Sequence, residues 1–483
     1  MWRWQLVSFV SFLFFIWLLL RLLASYLFWL YLWQRKEYRW DRWWAHLKLP
    51  DSRQQVIAAL NPFVFLVRKP QLTLRVGLIF WLTMLIDYQL YFYLLRFLSV
   101  WVRQWPILLF PIFTLNLLLV FWLTPGVMIF INVIVDLLLK PIYWLLLELA
   151  KFKLLRIKPL VIGITGSFAK TATKQILYKI LSVQYKVLAT DSSVNTPLGI
   201  AKTILTKLKP DHEIFIVEMG AYRPGEIKQL AAIVKPKVGI LTGINPQHTA
   251  LFGSKAKIVQ TKYELIQALP HQGLAVFNGE NPLTAHLAKR THQVKVKVYH
   301  YPPKPYQTKL LGRFQQLNIQ GVLTVADYLG VNRVKALEVI EQLLPTEMFL
   351  KTRRGLRDCL VLDDSHNANP DGFWEALMVL EKLPAKQKIV ITAGIIELGK
   401  AAGQVHRRLG KRIAAVADRL ILTSHNFATA FAAGAGGEFS PKTEVILNKT
   451  ALESRLKKLI DKETIILLEG WNWQARKILF PKE

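Results

Sequence analysis

One cysteine, Cys359, stands in the whole chain, so no intramolecular disulfide can form and the protein suits a reducing compartment. Acidic residues are scarce as well, 32 Asp and Glu against 63 Lys and Arg. No zinc-finger spacing, aromatic RNA-binding signature or Arg-rich arm accompanies that basic excess, so nucleic acid is the weaker reading of it and is not expected as a partner. An anionic lipid surface fits better than a phosphorylated substrate, because the chain carries its own apolar anchor, and lysines that simply solvate a surface account for much of the excess. There is no internal repeat and no low-complexity tract. The N-terminal apolar run is too long for a removed signal peptide and lacks its small-residue cleavage site.

What is present is unevenly spread. Apolar residues make up 52% of the 483 and aromatics 12%, and 13 of the 16 Trp precede residue 150. Residues 5–33 form an apolar run interrupted by Arg21, with Trp4, Trp29 and Trp33 near its ends, the pattern of a membrane span with interfacial Trp. Further candidate spans cover 76–95, holding Asp87, then 107–123, then 127–149, which holds Asp136, Lys140 and Pro141. The polar segment 34–75 carries nine Lys and Arg, a charge that places it in the cytoplasm, and the domain that follows residue 150 is expected on the same side. Crossings between that segment and the domain are then even in number. Only two of the last three candidates cross, and 127–149 is interfacial or re-entrant; four crossings fit only with 34–75 outside. Asp87 reads equally as a functional intramembrane carboxylate or as one paired inside a small bundle. The expectation is a multi-pass protein of the cell (inner) membrane, with the lipid bilayer as a partner and the catalytic domains in the cytoplasm.

Residues 151–158 read as a short basic linker. Beyond them helix-like and strand-like stretches alternate, as in a parallel sheet with crossover helices. Buried strands are expected at 160–164, 214–219, 238–242, 360–363, 389–392, 420–423 and 465–468, and helices at 171–181 and 254–269. Leu344-Pro345 marks a boundary, which divides the chain into a helical membrane region, 1–150, and two α/β domains, 151–345 and 346–483. The first of these strands runs into Thr165-Gly166-Ser167-Phe168-Ala169-Lys170-Thr171 and then a helix. That geometry cradles nucleotide phosphates: backbone N–H groups and the helix dipole meet the anion, a Lys neutralises it, and a Thr hydroxyl reaches Mg²⁺. The usual signature has Gly where Ala169 and Ile164 stand, so an ordinary strand–turn–helix also fits this stretch taken alone.

Further segments follow in order. Glu218-Met219-Gly220-Ala221 precedes Pro224-Gly225-Glu226-Ile227; Asn245-Pro246-Gln247-His248 precedes Phe252-Gly253-Ser254; then come Lys262 with Glu264, and Asn278-Gly279-Glu280-Asn281. In the last third stand Arg353-Arg354, Asp363-Asp364-Ser365-His366-Asn367-Ala368-Asn369-Pro370, and Glu397-Leu398-Gly399 with His406. Taken singly, each has a plainer reading: a packed His, a solvated Lys, turn asparagines beside Pro370. As an ordered set over about residues 159–476 they resemble the Mur ligase family, and within it the branch that adds D-alanyl-D-alanine to the peptidoglycan precursor.

The resemblance implies a phosphate-loop central domain and a Rossmann-like C-terminal domain. It implies an ATP-dependent amide ligase, in which a carboxylate becomes an acyl phosphate and an amine then displaces phosphate. Lys170, Glu218, His248 and Lys262 would be catalytic. Residues Thr165 to Thr171, with Asn278, Arg353 (or Arg354), Asp364 and Asn367, would hold ATP. Thr171 and Glu218 would bind one Mg²⁺, and His248 with Lys262, carbamylated by CO₂, a second. An unmodified Lys262 would be a cation beside a cation.

Three departures stand out. Ala169 replaces Gly; Glu469-Gly470-Trp471 replaces the usual Lys-Gly-Ser near the incoming amine; and residues 1–150 stand where the family has its UDP-binding domain. The expected substrates are therefore a cell-wall precursor or polymer carboxylate, possibly lipid-linked, and an amino acid or dipeptide amine. Poly-γ-glutamate synthases, which resemble Mur ligases behind a hydrophobic N-terminus, are a precedent. The alternative is a catalytically degenerate membrane scaffold or nucleotide sensor. The absence of an ABC-type signature and of a Walker B acidic pair disfavours a transporter.

Overall fold

The structure, a computed structural model, describes residues 2–481 except 105–108, Ser193, 347–349, 366–367, 437–441 and Trp471. The chain divides into two compact units, Met1–Trp144 and Leu145–Glu483. Asn367, one of the expected nucleotide contacts, lies outside the described residues.

The first unit is helical: α1 (Trp2–Arg35), α2 (Trp40–Leu47), α3 (Pro50–Leu60), α4 (Leu74–Gln104) and the start of α5 (Leu109–Ile157). Three of these helices, α1, α4 and α5, are long and apolar enough to cross a membrane. The expected segments 107–123 and 127–149 are not separate: from Leu109 they lie on α5, an unbroken helix of 49 residues with Pro125 and Pro141 inside it. At 1.5 Å per residue it is about 70 Å long, over twice a hydrocarbon core. Nor is 151–158 a linker, since α5 runs to Ile157. Leu147, Ala150, Leu154 and Ile157 recur at helical spacing and pack in the core of the second unit, a stripe that Lys151, Lys153 and Arg156 hide in the linear sequence.

The polar segment is no free loop either. Trp40 and Trp43 pack on Trp33, and α3 ends where Arg21 Nη2 donates to the carbonyls of Ala59 (2.8 Å) and Asn61 (3.0 Å). The chain then runs extended alongside α1, from Phe63 and Phe65 on Trp17 to Gln71, whose backbone exchanges two hydrogen bonds with the Gln34 amide. Asp87 is enclosed in this unit. Its Oδ2 accepts from Tyr26 (2.5 Å) and Thr124 (2.7 Å), the paired-carboxylate reading.

The second unit holds two sheets. The first has six parallel strands in the order β2-β3-β1-β4-β5-β6: β1 Leu160–Thr165, β2 Val187–Ala189, β3 Ile214–Glu218, β4 Val238–Leu241, β5 Leu274–Asn278 and β6 Lys295–Tyr299. The second has the order β11-β10-β9-β12-β8-β7: β7 Lys351–Arg354, β8 Leu360–Asp364, β9 Gln387–Thr392, β10 Arg419–Leu422, β11 Lys442–Val445 and β12 Thr464–Glu469. Only β7 is antiparallel. Helices α6 (Lys170–Leu181), α7 (Pro197–Lys207), α8 (Glu226–Val234), α9 (Thr249–Phe252), α10 (Lys255–Gln267), α11 (Pro282–Lys289), α12 (Arg313–Tyr328) and α13 (Arg333–Gln342) accompany the first sheet. Helices α14 (Pro370–Lys382) and α15 (Ala402–Val416) follow in the second domain. Central strands are continuous buried apolar runs, so helices cover both faces and side chains with chemistry gather at the strands' C-terminal ends.

Candidate active site

The phosphate-loop residues leave β1 and enter α6. Gly166 has φ +154°, and a Cβ there would collide with the Thr242 hydroxyl, so glycine is required. Ala169 has φ 62° and caps α6 without a side-chain hydrogen bond. It thus takes the left-handed conformation a glycine would take. The loop keeps its shape at a cost of about 1 kcal/mol. Thr242 Oγ1 donates to the Phe168 carbonyl (2.5 Å), and Ser167 N–H donates to Gly243 O (2.8 Å), tying the loop to the end of β4. Thr165 lies beneath, its hydroxyl donating to Met219 O (2.9 Å).

Lys170 Nζ donates to Gly166 O (2.9 Å). Burial lowers its pKa and Glu218 opposes that change. Glu218, at the end of β3, accepts from Thr171 Oγ1 (2.8 Å) and Asn195 Nδ2 (3.2 Å) and is paired with Lys174 (3.0 Å). Burial works to raise the Glu218 pKa, but Lys170 and then Lys174 outweigh it and hold the carboxyl below its ordinary range, ionised. Lys174 and Asn195 were not foreseen. Lys174 had a signal, being one helical turn after Lys170; Asn195 had none, because only the fold brings it to β3.

Lys262 is buried on α10. Burial first, then Lys170, bring its pKa down to about 7 against Glu226, Glu218 and Glu264. Glu264 has a separate task, accepting backbone N–H bonds from Gly225 (2.7 Å) and Lys228 (2.9 Å) at the start of α8. His248 Nδ1 lies 2.5 Å from Glu397 Oε2, and the Tyr222 ring packs edge-on at 5.0 Å. Burial lowers the His248 pKa against the pull of Glu397; with Nδ1–H donating to Glu397, Nε2 is left for a ligand.

Among the described residues no group of three or more His, Cys, Asp or Glu is placed to hold a metal ion. A metal site here must draw on other donors, and the residues fit Mg²⁺. Thr171 and Glu218 offer adjacent hard oxygens, while Lys262, its pKa lowered to about 7, has far more of the neutral amine that takes up CO₂ than an ordinary lysine.

Across the interdomain gap, a cavity of about 140 Å³ is lined by Ser167 to Ala172, by Gly312 and Phe314, and by Asp364, Asn369, Gly372 and Glu375. Asp364 and the loop residues from Ser167 to Thr171 thus line one cavity. Asn278 and Arg353 are not among the lining residues. Asn278 ties strand ends together, donating to Thr242 O (2.7 Å) and accepting from Glu280 N–H (2.9 Å). Arg353 pairs with Asp363 (3.4 Å) and stacks on Phe480 (3.9 Å). Beside Asp364 in register lies Glu469, fully buried, where the resemblance had led to Lys. Burial raises both pKa values, that of Asp364 to about 6; the Asp364 charge raises Glu469 further, while the hydrogen bond with Glu469 partly offsets the rise at Asp364.

Comparison with known proteins follows the same division. Residues 164–310 match the Mur ligase middle domain and residues 349–471 the Mur ligase, glutamate ligase domain. The chain is 31% identical over 294 residues to the UDP-N-acetylmuramoyl-tripeptide–D-alanyl-D-alanine ligase of Synechocystis sp., covering 57% of this chain and 64% of that one. It is 26% identical over 291 residues to the Bacillus subtilis protein of the same name, covering 54% and 62%. It therefore spans less than two thirds of the length of these relatives. The solved MurF ligase of Thermotoga maritima in complex with ADP superposes with a TM-score of 0.61 at 25% identity, over 70% of this chain and 81% of that one. Folylpolyglutamate synthase of Mycobacterium tuberculosis shares the fold alone, with a TM-score of 0.52 at 14% identity over 69% and 92%.

Proposed function

Residues 164–310 and 349–471 are the middle and C-terminal domains of the Mur ligase family, and we propose that the chain is a membrane-anchored, ATP-dependent amide ligase acting in peptidoglycan-precursor or related polymer synthesis. The observation that carries this reading is the convergence of Lys170, Thr171 and Glu218 under a cavity whose far wall is Asp364 of the second domain.

A substrate carboxylate oxygen attacks the γ-phosphorus of ATP and ADP leaves. The amine nitrogen of an amino acid or dipeptide then attacks the acyl carbon, and phosphate leaves as the amine gives up a proton. Several anionic oxygens must be brought together, and Lys170 and Lys174 supply positive charge at that place. Lys174 and Asn195 keep the Glu218 carboxylate ionised and oriented. Thr171 with Glu218, and His248 with a carbamylated Lys262, would hold two Mg²⁺, which offset the charge on the phosphates. Asp364 and Asn369 bound the nucleotide space from the C-terminal side.

Anchoring is supported by the three apolar helices. With α5 unbroken, two crossings, α4 and α5, separate the basic segment 34–75 from the catalytic unit. Both then lie on one side, the cytoplasmic side of the inner membrane, which the basic residues mark. Apolar helices, rather than a UDP-binding domain, precede the matched domains; the carboxylate substrate is accordingly lipid-linked or a polymer at the bilayer surface.

Lys170→Ala tests the chemistry. Acceptor-dependent phosphate release from ATP should be abolished while circular dichroism stays that of the wild type. Unchanged release in the folded variant removes Lys170 from the reaction.

A further inference from the structure

Among the described residues, five hydrogen bonds join one short strip of the central domain to the C-terminal domain, the longest from Asn245 Nδ2 to Asn369 Oδ1 (3.5 Å). Asn245 Nδ2 donates to Asp371 Oδ2 (2.8 Å), Gln247 Nε2 donates to Ala368 O (3.2 Å), His248 Nδ1 meets Glu397 Oε2 (2.5 Å), and Ala250 N–H donates to Glu397 O (3.1 Å). Glu397 holds the strip by both side chain and backbone. His248 (φ 65°) and Glu397 (φ 67°) both occupy left-handed backbone conformations that non-glycine residues avoid and that persist where the surroundings impose them. Gly399, at φ 56°, lies so near that a Cβ would come within 3.1 Å of the Ala250 nitrogen. The loop carrying Glu397 is braced from behind. His406 Nε2 accepts from Ile395 N–H (2.9 Å), Nδ1–H donates to Ala402 O (2.7 Å), and the ring stacks on Phe427.

We propose that Glu397 is a latch: a positioning residue that takes the Nδ1–H of His248 only when the C-terminal domain is docked. Docking thereby presents His248 Nε2 to the divalent-cation site, and domain closure and cation binding become one coupled event. The inference rests on the ligase reading and adds the residue through which the coupling runs. Its physical basis is the carboxylate–imidazole pair: with the carboxylate in place the ring has one tautomer and one orientation, and without it the ring is free to turn and is a weaker ligand. The cavity is walled by Ser167 to Ala172 on one side and by Asp364, Asn369 and Glu375 of the C-terminal domain on the other, so docking of that domain makes both the nucleotide space and the Glu397–His248 contact. By linkage, whatever favours the docked state must favour the cation, and the reverse.

The test uses the full-length chain in nanodiscs with spin labels at Lys335→Cys and Lys458→Cys, one on each domain; native Cys359 is buried and stays unlabelled. Interdomain distance is followed while Mg²⁺ is titrated in the presence of a non-hydrolysable ATP analogue. Glu397→Ala should need roughly tenfold more Mg²⁺ for half-closure, with Glu397→Gln between it and wild type. Binding of the analogue without Mg²⁺ should be unchanged. Gly399→Ala crowds the strip without touching the carboxylate and should shift the titration in the same direction. A Glu397→Ala protein that closes at the wild-type Mg²⁺ concentration overturns the latch while leaving the ligase reading intact. A wild type that binds no analogue overturns both.

Discussion

Lys262 is a cation in a place that rejects cations. It is buried, with Lys170 opposing a second positive charge, and its pKa falls to about 7 although three glutamates pull the other way. Between that value and the ordinary 10.5 the folded protein binds fewer protons here than the unfolded chain. An uncarbamylated protein therefore gains stability as pH rises through this window and bears the cost of the buried charge below it. Reaction with CO₂ removes the conflict, because only the neutral amine reacts and the product is an anion among lysines. In ¹³C-bicarbonate the full-length protein should show a carbamate carbon resonance that Lys262→Ala lacks. Below pH 7 its intensity should drop roughly tenfold per pH unit, following the neutral-amine fraction. A signal equal at pH 8 and pH 6, or one that survives in Lys262→Ala, would falsify the carbamate. Lys262 was legible in the sequence only through the company it keeps, since spacing alone makes it one more helical lysine.

At the scale of elements, buried strands were the legible part. β1, β3, β4, β8, β9, β10 and β12 lie within a residue or two of their expected positions, because a central parallel strand is an unbroken apolar run. β5, Leu-Ala-Val-Phe-Asn, is fully buried between β4 and β6 and was missed all the same, and the edge strands left no such trace. β7 is Lys-Thr-Arg-Arg, and β6 alternates Lys with Val on a half-exposed edge. The extended limb after α3 was also hidden, since Asn61 to Thr73 carries neither period. That limb constrains where lipid can lie. The backbone of residues 65–69 makes no hydrogen bond with the described residues, and Val67 and Leu72 are exposed. Unpaired extended backbone does not survive in hydrocarbon, so if α1 crosses a bilayer the flank that this limb follows must face water or headgroups. Val67→Cys and Leu72→Cys should react with a membrane-impermeant maleimide in inside-out vesicles on the order of tenfold faster than Trp81→Cys on the outer face of α4. Equal, slow labelling at all three positions would place the limb in lipid and undo this argument.

For the molecule as a whole the question is whether the apolar unit positions substrate or only tethers the enzyme. A tether needs one span, and three helices qualify. The polar segment offers less free charge than its nine Lys and Arg suggest, for Arg39, Arg42 and Arg75 are paired with Asp41, Glu37 and Asp136. Arg68 and Lys69, on the exposed limb, form no ion pair with the described residues, and each contributes on the order of 1 kcal/mol of attraction near an anionic surface. That suffices to favour a phosphate-bearing lipid headgroup at the limb and to replace a search in three dimensions by proximity in a plane. The catalytic unit has its own cores, and α5 contributes Ala150 and Leu154 to one of them, so a truncation should begin at Leu145 and keep that turn. Residues 145–483 and the full-length chain in nanodiscs would each be assayed with a soluble UDP-linked precursor and a lipid-linked one. If the unit positions substrate, truncation should lower kcat/KM for the lipid-linked precursor by about a hundredfold or more, the scale of a lost positioning effect, and leave Lys170-dependent nucleotide binding intact. A truncated protein that uses the soluble precursor as well as the full chain uses the lipid-linked one would reduce the N-terminal unit to an anchor.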